Sequence, residues 1–120
     1  MVWRDLEVWK KAHSLTLDVY RITTGFPKSE MYGLTSQLRR ASSSVPANIV
    51  EGQSRNTTRE YIQFLYNSRG SLEETRYFLL LAKDLKYINS EEFEMMEGQG
   101  IKVSTMLNNL IKSLKKLQET

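Results

Sequence analysis

The chain has 120 residues, a single histidine and no cysteine, a length that supports one hydrophobic core without disulfides or metals. The missing thiols exclude cysteine-based zinc sites, a disulfide framework and a thiol nucleophile. Seventeen Lys and Arg against 14 Asp and Glu leave a net charge of +3, which permits a polyanionic partner without requiring one. The opening Met1-Val2-Trp3-Arg4-Asp5 lacks the apolar centre of a signal peptide. The longest apolar run, Tyr77 to Ala82, is too short to cross a bilayer. The expectation is a soluble cytoplasmic protein of bacterial type that does not contact membranes.

Apolar residues recur at steps of three and four in four stretches. The first predicts a helix over 5–25, with Val8, Ala12, Leu15, Val19, Ile22 and Phe26 on one face. Phe26-Pro27 ends it, because the residue before proline is pushed out of the α region. A second helix is predicted over 30–52, with Ser29 as its N-cap and a stripe of Met31, Leu34, Leu38, Ala41, Val45 and Ile49. Ser42-Ser43-Ser44 and Pro46 weaken it locally. An interior proline costs about 3 kcal/mol, so a kink is expected there, and Gly52 is expected to stop the helix.

Thr57-x-x-Glu60 reads as a capping box that opens a third helix over 57–87. Its stripe is Tyr61, Leu65, Ser68, Leu72, Thr75, Leu79 and Ala82. A fourth helix is predicted over 90–118, capped by Ser90, with Phe93, Met96, Gly100, Val103, Leu107, Leu110, Leu114 and Leu117 in phase. Gly98 and Gly100 each cost up to about 1 kcal/mol in a helix interior, which predicts a bend or a late start. Short connections make neighbours antiparallel. The fold class is therefore all-α, an antiparallel up-down-up-down four-helix bundle in one domain spanning 1–120. Phe64, Tyr66, Phe78 and Leu81 lie off the third helix's main stripe. An apolar second face on that helix predicts a meeting with another subunit, hence a homo-oligomer.

No catalytic constellation accompanies this framework. His13 flanks the first stripe without a ligand-spaced partner, which suits a boundary histidine better than a metal ligand or a base. The neighbours Glu73-Glu74 and Glu91-Glu92 point to different sides of their helices. No Glu-x-x-His pair and no glycine-rich phosphate loop occurs. The expectation is a non-enzyme with no catalytic residues, no metal and no cofactor.

From Lys28 to Glu60 five basic residues face three acidic ones. Arg39, Arg40, Arg55 and Arg59 are the candidate nucleic-acid contacts, since guanidinium groups meet phosphate oxygens through paired hydrogen bonds. Lys112, Lys115 and Lys116 form a second basic cluster. Each group has a plainer reading as dipole complement, solubility aid or ion-pair partner. Asn48 and Glu51 are spaced i, i+3 beside the second stripe. They read as a structural network drawing on Arg39, Arg55 or Ser71, and Gly70-Ser71 reads as a close helix crossing that faces Ala41 or Ala47.

The motifs resemble a known family. Phe26-Pro27-x-x-Glu30-x-x-Gly33-Leu34-Thr35-x-Gln37-Leu38-Arg39-Arg40-Ala41, followed by Ser44-Val45-x-Ala47-Asn48-Ile49-x-Glu51-Gly52, is similar to the four-helix-bundle proteins encoded in intervening sequences of bacterial 23S ribosomal RNA genes. Leu6-x-Val8-Trp9-x-x-Ala12, Phe64-Leu65 and Gly70-Ser71-Leu72-x-Glu74 match its first and third helices. The fourth matches only in pattern. The resemblance implies a ring-like homopentamer, related in shape to the basic pentameric accessory protein of diversity-generating retroelements, which engages RNA and a reverse transcriptase. It marks Arg39, Arg40, Asn48, Glu51 and Gly52 as motif positions, with Asn48, Glu51 and Gly52 read as structural. Five copies at +3 would carry about +15. The expected function is that of an oligomeric RNA-binding or ribonucleoprotein accessory protein. The alternative is a protein–protein scaffold without a nucleic-acid role.

Overall fold

A computed structural model describes residues 2–119. Four helices carry the chain: α1 (Glu7–Thr23), α2 (Leu34–Gln53), α3 (Thr58–Asp84) and α4 (Ser90–Glu119). Single 3₁₀ turns at Trp3–Asp5 and Lys28–Glu30 precede α1 and α2, and no strand occurs among the described residues. Contacts between successive helices run in opposite chain order. Thr16 meets Ser42 while Thr23 meets Arg39, and Ser68 meets Val45 while Tyr61 approaches Gly52. Along the last pair, Lys115 lies over Tyr66, Arg69 bonds Asn108 and Arg76 bonds Glu97. Consecutive helices are therefore antiparallel, and the Gln99 amide closes α4 onto α1 by donating to Asp18 at 2.9 Å.

The buried faces are the predicted stripes. Val8, Ala12, Leu15, Val19 and Ile22 of α1, with Leu38, Ala41, Val45 and Ile49 of α2, are all buried. So are Leu65, Ser68, Leu72, Thr75, Leu79 and Ala82 of α3. Five stripe positions are not fully buried: Met31, Tyr61, Leu110, Leu114 and Leu117. Met31 lies in the turn before α2 and is exposed. On α4 burial passes from Leu107 to Ile111 instead of Leu110, and Leu117 is exposed. A strict seven-residue rhythm drifts about 20° per turn pair around a straight helix. After Leu107 the core line has thus moved to the neighbouring residue.

The helix ends depart from the expected caps. Ser29 does not cap α2. It lies in the 3₁₀ turn, and α2 starts four residues beyond the predicted 30. Glu30 acts instead: its Oε1 accepts from the Leu34 amide at 3.0 Å and its Oε2 from the Tyr87 hydroxyl at 2.8 Å. A Cβ on Gly33 would come within 2.7 Å of that carboxylate oxygen, so glycine leaves Glu30 in place without a shift. Ser90 does not cap α4 either. Asn89 Oδ1 accepts from the Glu92 amide at 2.7 Å, and Glu92 Oε1 accepts from the Asn89 amide at 3.0 Å, a reciprocal capping box one residue earlier. At α3 the predicted Thr57 cap is present, its hydroxyl oxygen accepting from the Glu60 amide at 3.1 Å. That helix ends in a Schellman motif, with Tyr87 N–H on the Ala82 carbonyl and Lys86 N–H on the Lys83 carbonyl. Lys86 occupies the left-handed position usual for glycine, at φ 67°.

Helix α2 is assigned without interruption through Pro46. Proline deprives the Ser42 carbonyl of its amide donor. The Thr16 hydroxyl of α1, 2.9 Å away, supplies the replacement. Gly52 does not stop α2, which continues to Gln53. Its role is contact: an added Cβ would fall 2.8 Å from Phe64 Cβ and 3.2 Å from the Tyr61 carbonyl of α3. The close crossing expected at Gly70 is thus at Gly52, since Gly70 is exposed with nothing near it. Gly98 and Gly100 neither break nor delay α4. Gly100 makes room for Arg76, whose Cγ would lie 3.2 Å from an added Cβ. Burial disfavours the Arg76 charge, but its hydrogen bonds to Glu97 at 2.6 Å and to Glu73 at 2.9 Å outweigh that cost, so its pKa is raised.

Candidate nucleic-acid interface

The four candidate arginines do not form one site. Arg39 is half-buried and held by α1. Its Nε donates to Thr23 Oγ1 at 2.8 Å, Nη2 donates to the Tyr20 carbonyl at 3.4 Å, and the guanidinium covers the Tyr20 ring at 4.8 Å. That geometry fastens α2 to the last turn of α1 and leaves little of the fork for a phosphate. Arg55 pairs with Glu51 at 2.8 Å and covers the Phe64 ring at 4.6 Å. Arg40 and Arg59 are different. Both are exposed, and neither side chain has a partner among the described residues.

These two lie far apart. Arg40 stands near the middle of α2 and Arg59 in the first turn of α3. The 13 residues from Arg40 to the end of α2 at Gln53 place them about 20 Å apart along the bundle axis. Arg59 instead shares its end of the molecule with the α4 C-terminal cluster. The antiparallel α3/α4 pairing brings the exposed Lys112, Lys115 and Lys116 alongside the N-terminal half of α3, with Lys115 over Tyr66. There Tyr66 is flanked by Arg69 at 4.7 Å and Lys115 at 5.1 Å, and Arg69 Nη1 donates to Asn108 Oδ1 at 3.0 Å. Arg59 and Tyr66 lie seven residues apart, two turns along one face of α3. Tyr66 and Arg69 were not among the candidates. Their spacing of three was visible, but the cation from α4 that completes the group was not.

The Asn48–Glu51 network splits in two. The Asn48 amide donates to the Ser44 carbonyl of its own helix at 2.8 Å, and Glu51 is exposed in its pair with Arg55. Neither reaches Arg39 or Ser71. The second apolar face of α3 is largely covered within the chain. Tyr66, Phe78 and Leu81 pack on the core and cations lie over Phe64 and Tyr66, which leaves Tyr77 and Leu80 exposed. His13 is exposed and stacks on Trp9 at 4.9 Å. Among the described residues no cluster of His, Cys, Asp or Glu is arranged to hold a metal ion, and no helix is long and apolar enough to cross a membrane.

An antiparallel four-helix bundle with a basic end and a proline inside its continuous second helix is the class of protein this geometry defines. Residues 4–109 match the family model described as 23S rRNA-intervening sequence protein, and the chain belongs to that family. A solved structure is similar at a TM-score of 0.79 and 22% identity, covering 88% of this chain and 98% of the other. It is a protein with unknown function from the S23 ribosomal protein family of Bacteroides thetaiotaomicron VPI-5482. A search of curated proteins found no match.

Proposed function

We propose that this protein is a non-enzymatic, cytoplasmic, homo-oligomeric bundle that binds RNA as a ribonucleoprotein accessory factor. The observation that carries the reading is that Arg40 and Arg59 stand in solvent and have no side-chain partner among the described residues. Arg59 has Lys112, Lys115 and Lys116 at the same end. Unpaired cations on rigid helices meet phosphates with little loss of side-chain order. The family's description points to a gene within 23S rRNA, which agrees with an RNA partner. Assembly into a ring, a pentamer by family resemblance, would repeat this modest charge around an axis.

The test is a salt titration of binding between nuclease-treated protein and a labelled structured RNA, with oligomeric mass read on the same sample. Binding should weaken linearly in log salt. Charge reversal of Arg40 and Arg59 should flatten the slope by about 0.7 to 0.9 for each phosphate that is no longer neutralised. Unchanged affinity in that double variant would remove the proposal and favour a scaffold for protein partners. The exposed Tyr77 and Leu80 are the observation on that side.

A further inference from the structure

A polar groove of about 450 Å³ runs between α2 and α3, bordered by Tyr32, Ser36, Gln37, Arg40, Glu74 and Phe78. A second groove of about 300 Å³ lies on the α1 side, and Tyr32, Ser36 and Arg40 border it too. Tyr32 is 97% exposed, an aromatic ring with almost no packing in the protomer. Its backbone is nevertheless well placed. The turn that holds it is fastened by Glu30, which grips both the Leu34 amide and the Tyr87 hydroxyl, and is followed by the buried Leu34.

We propose that Tyr32 and Arg40 form a subsite for single-stranded RNA, in which one unstacked base lies on the Tyr32 ring and its phosphate meets the Arg40 guanidinium. This rests on the RNA-binding reading above and specifies the form of RNA. A base offers a π-face to the ring, and stacking of this kind tolerates any sequence. The groove beside it holds a hydroxyl, an amide and a carboxylate, the mix of donors and acceptors that meets the polar edge of a base. Glu74 repels phosphate. The backbone is therefore expected on the Arg40 side, with Glu74 left to accept from an exocyclic amine or a 2′-hydroxyl. A duplex keeps its bases stacked on one another and cannot present one to Tyr32. An apolar peptide is the poorer fit, since Phe78 and Ala41 are the apolar members of the lining besides Tyr32 itself.

The experiment measures anisotropy of a short labelled single-stranded RNA, and of a duplex of the same sequence, with the intact protein and its assembly mass recorded. Tyr32→Ala should weaken single-strand binding about 5- to 100-fold and leave duplex binding and the salt slope unchanged. Tyr32→Trp should restore the affinity, and Arg40→Ala should lower the slope by about 0.7. If Tyr32→Ala binds single strands as the parent does while the Arg40 and Arg59 reversal still weakens binding, the subsite is wrong and the RNA reading stands. A smaller assembly in Tyr32→Ala would make Tyr32 a subunit contact and overturn the subsite as well. No RNA binding by the parent protein would overturn both.

Discussion

Glu30 shows how much one side chain organises. Its carboxylate serves the first amide of α2 and the Tyr87 hydroxyl beyond α3, and both hydrogen bonds hold its pKa below the ordinary carboxylate range, the Leu34 amide most strongly. A depressed folded-state pKa contributes stability above the unfolded value, near 4.3, and that contribution is lost as pH falls through the folded value. Tyr87 is the mirror case. Its hydrogen bond to Glu30 raises its pKa, so its contribution is present below about pH 10 and lost as pH rises through the raised value. Thermal melts from pH 3 to 11 should therefore show both flanks. Glu30→Gln should remove the acid step and weaken the alkaline one, whereas Tyr87→Phe should remove only the alkaline step and soften the acid one. Lys86, at φ 67°, predicts a gain. Lys86→Gly relieves a left-handed β-carbon at about 1 kcal/mol and should raise Tm by roughly 3–5 °C; an unchanged or lower Tm would refute it.

At the scale of elements, α2 tolerates an interior proline because α1 compensates for it. The Thr16 hydroxyl, within reach of its own Ala12 carbonyl at 3.1 Å, lies closer to the Ser42 carbonyl at 2.9 Å. Leaving that buried carbonyl bare costs about 1–3 kcal/mol, which is the expected loss in Thr16→Val. In a Pro46→Ala background the helix recovers its own amide donor, and Thr16→Val should then cost about 1 kcal/mol less. Urea melts of the four proteins give the coupling directly; additive losses would mean that Thr16 serves only α1. The crossing of α2 and α3 rests on a different device, the absence of a side chain at Gly52, where backbone of one helix lies against Tyr61 and Phe64 of the other.

For the whole molecule, the long axis of 51 Å follows from α3 and α4, the two longest helices. The exposed apolar residues are distributed along this body: Leu17 and Tyr20 on α1, Tyr77 and Leu80 on α3, Met95 and Ile101 on α4. Of these, Tyr77 and Leu80 lie one turn apart on the helix whose apolar excess prompted the expectation of a homo-oligomer. If that face joins subunits, Tyr77→Glu with Leu80→Glu should convert the assembly to monomers, as read by light scattering, while the far-ultraviolet helix signal persists. An unchanged mass would place any interface elsewhere.

The four helices and nearly all of the core were legible in the chain, because burial on one face imposes a 3–4 rhythm that survives any detail of packing. The rhythm failed where it accumulates drift, at Leu110 and Ile111. Caps were legible when both halves were local, as at Thr57 and Glu60. The reading failed at α2, whose cap is a side chain from outside the helix tied to Tyr87 across the bundle. It also placed the α4 cap one residue late, because Asn89 and Ser90 are both good N-cap residues and the one paired with Glu92 prevails. The arginines illustrate the same division. Their positions in sequence suggested one patch, but whether a guanidinium is free depends on neighbours from other helices. Thr23 and Tyr20 occupy Arg39, and Glu51 and Phe64 occupy Arg55, which leaves Arg40 and Arg59 to solvent. Sequence thus determined which faces must be buried. The three-dimensional arrangement decided which charges are spent within the bundle, since pairing acts over a few ångströms and those neighbours are brought together only by folding.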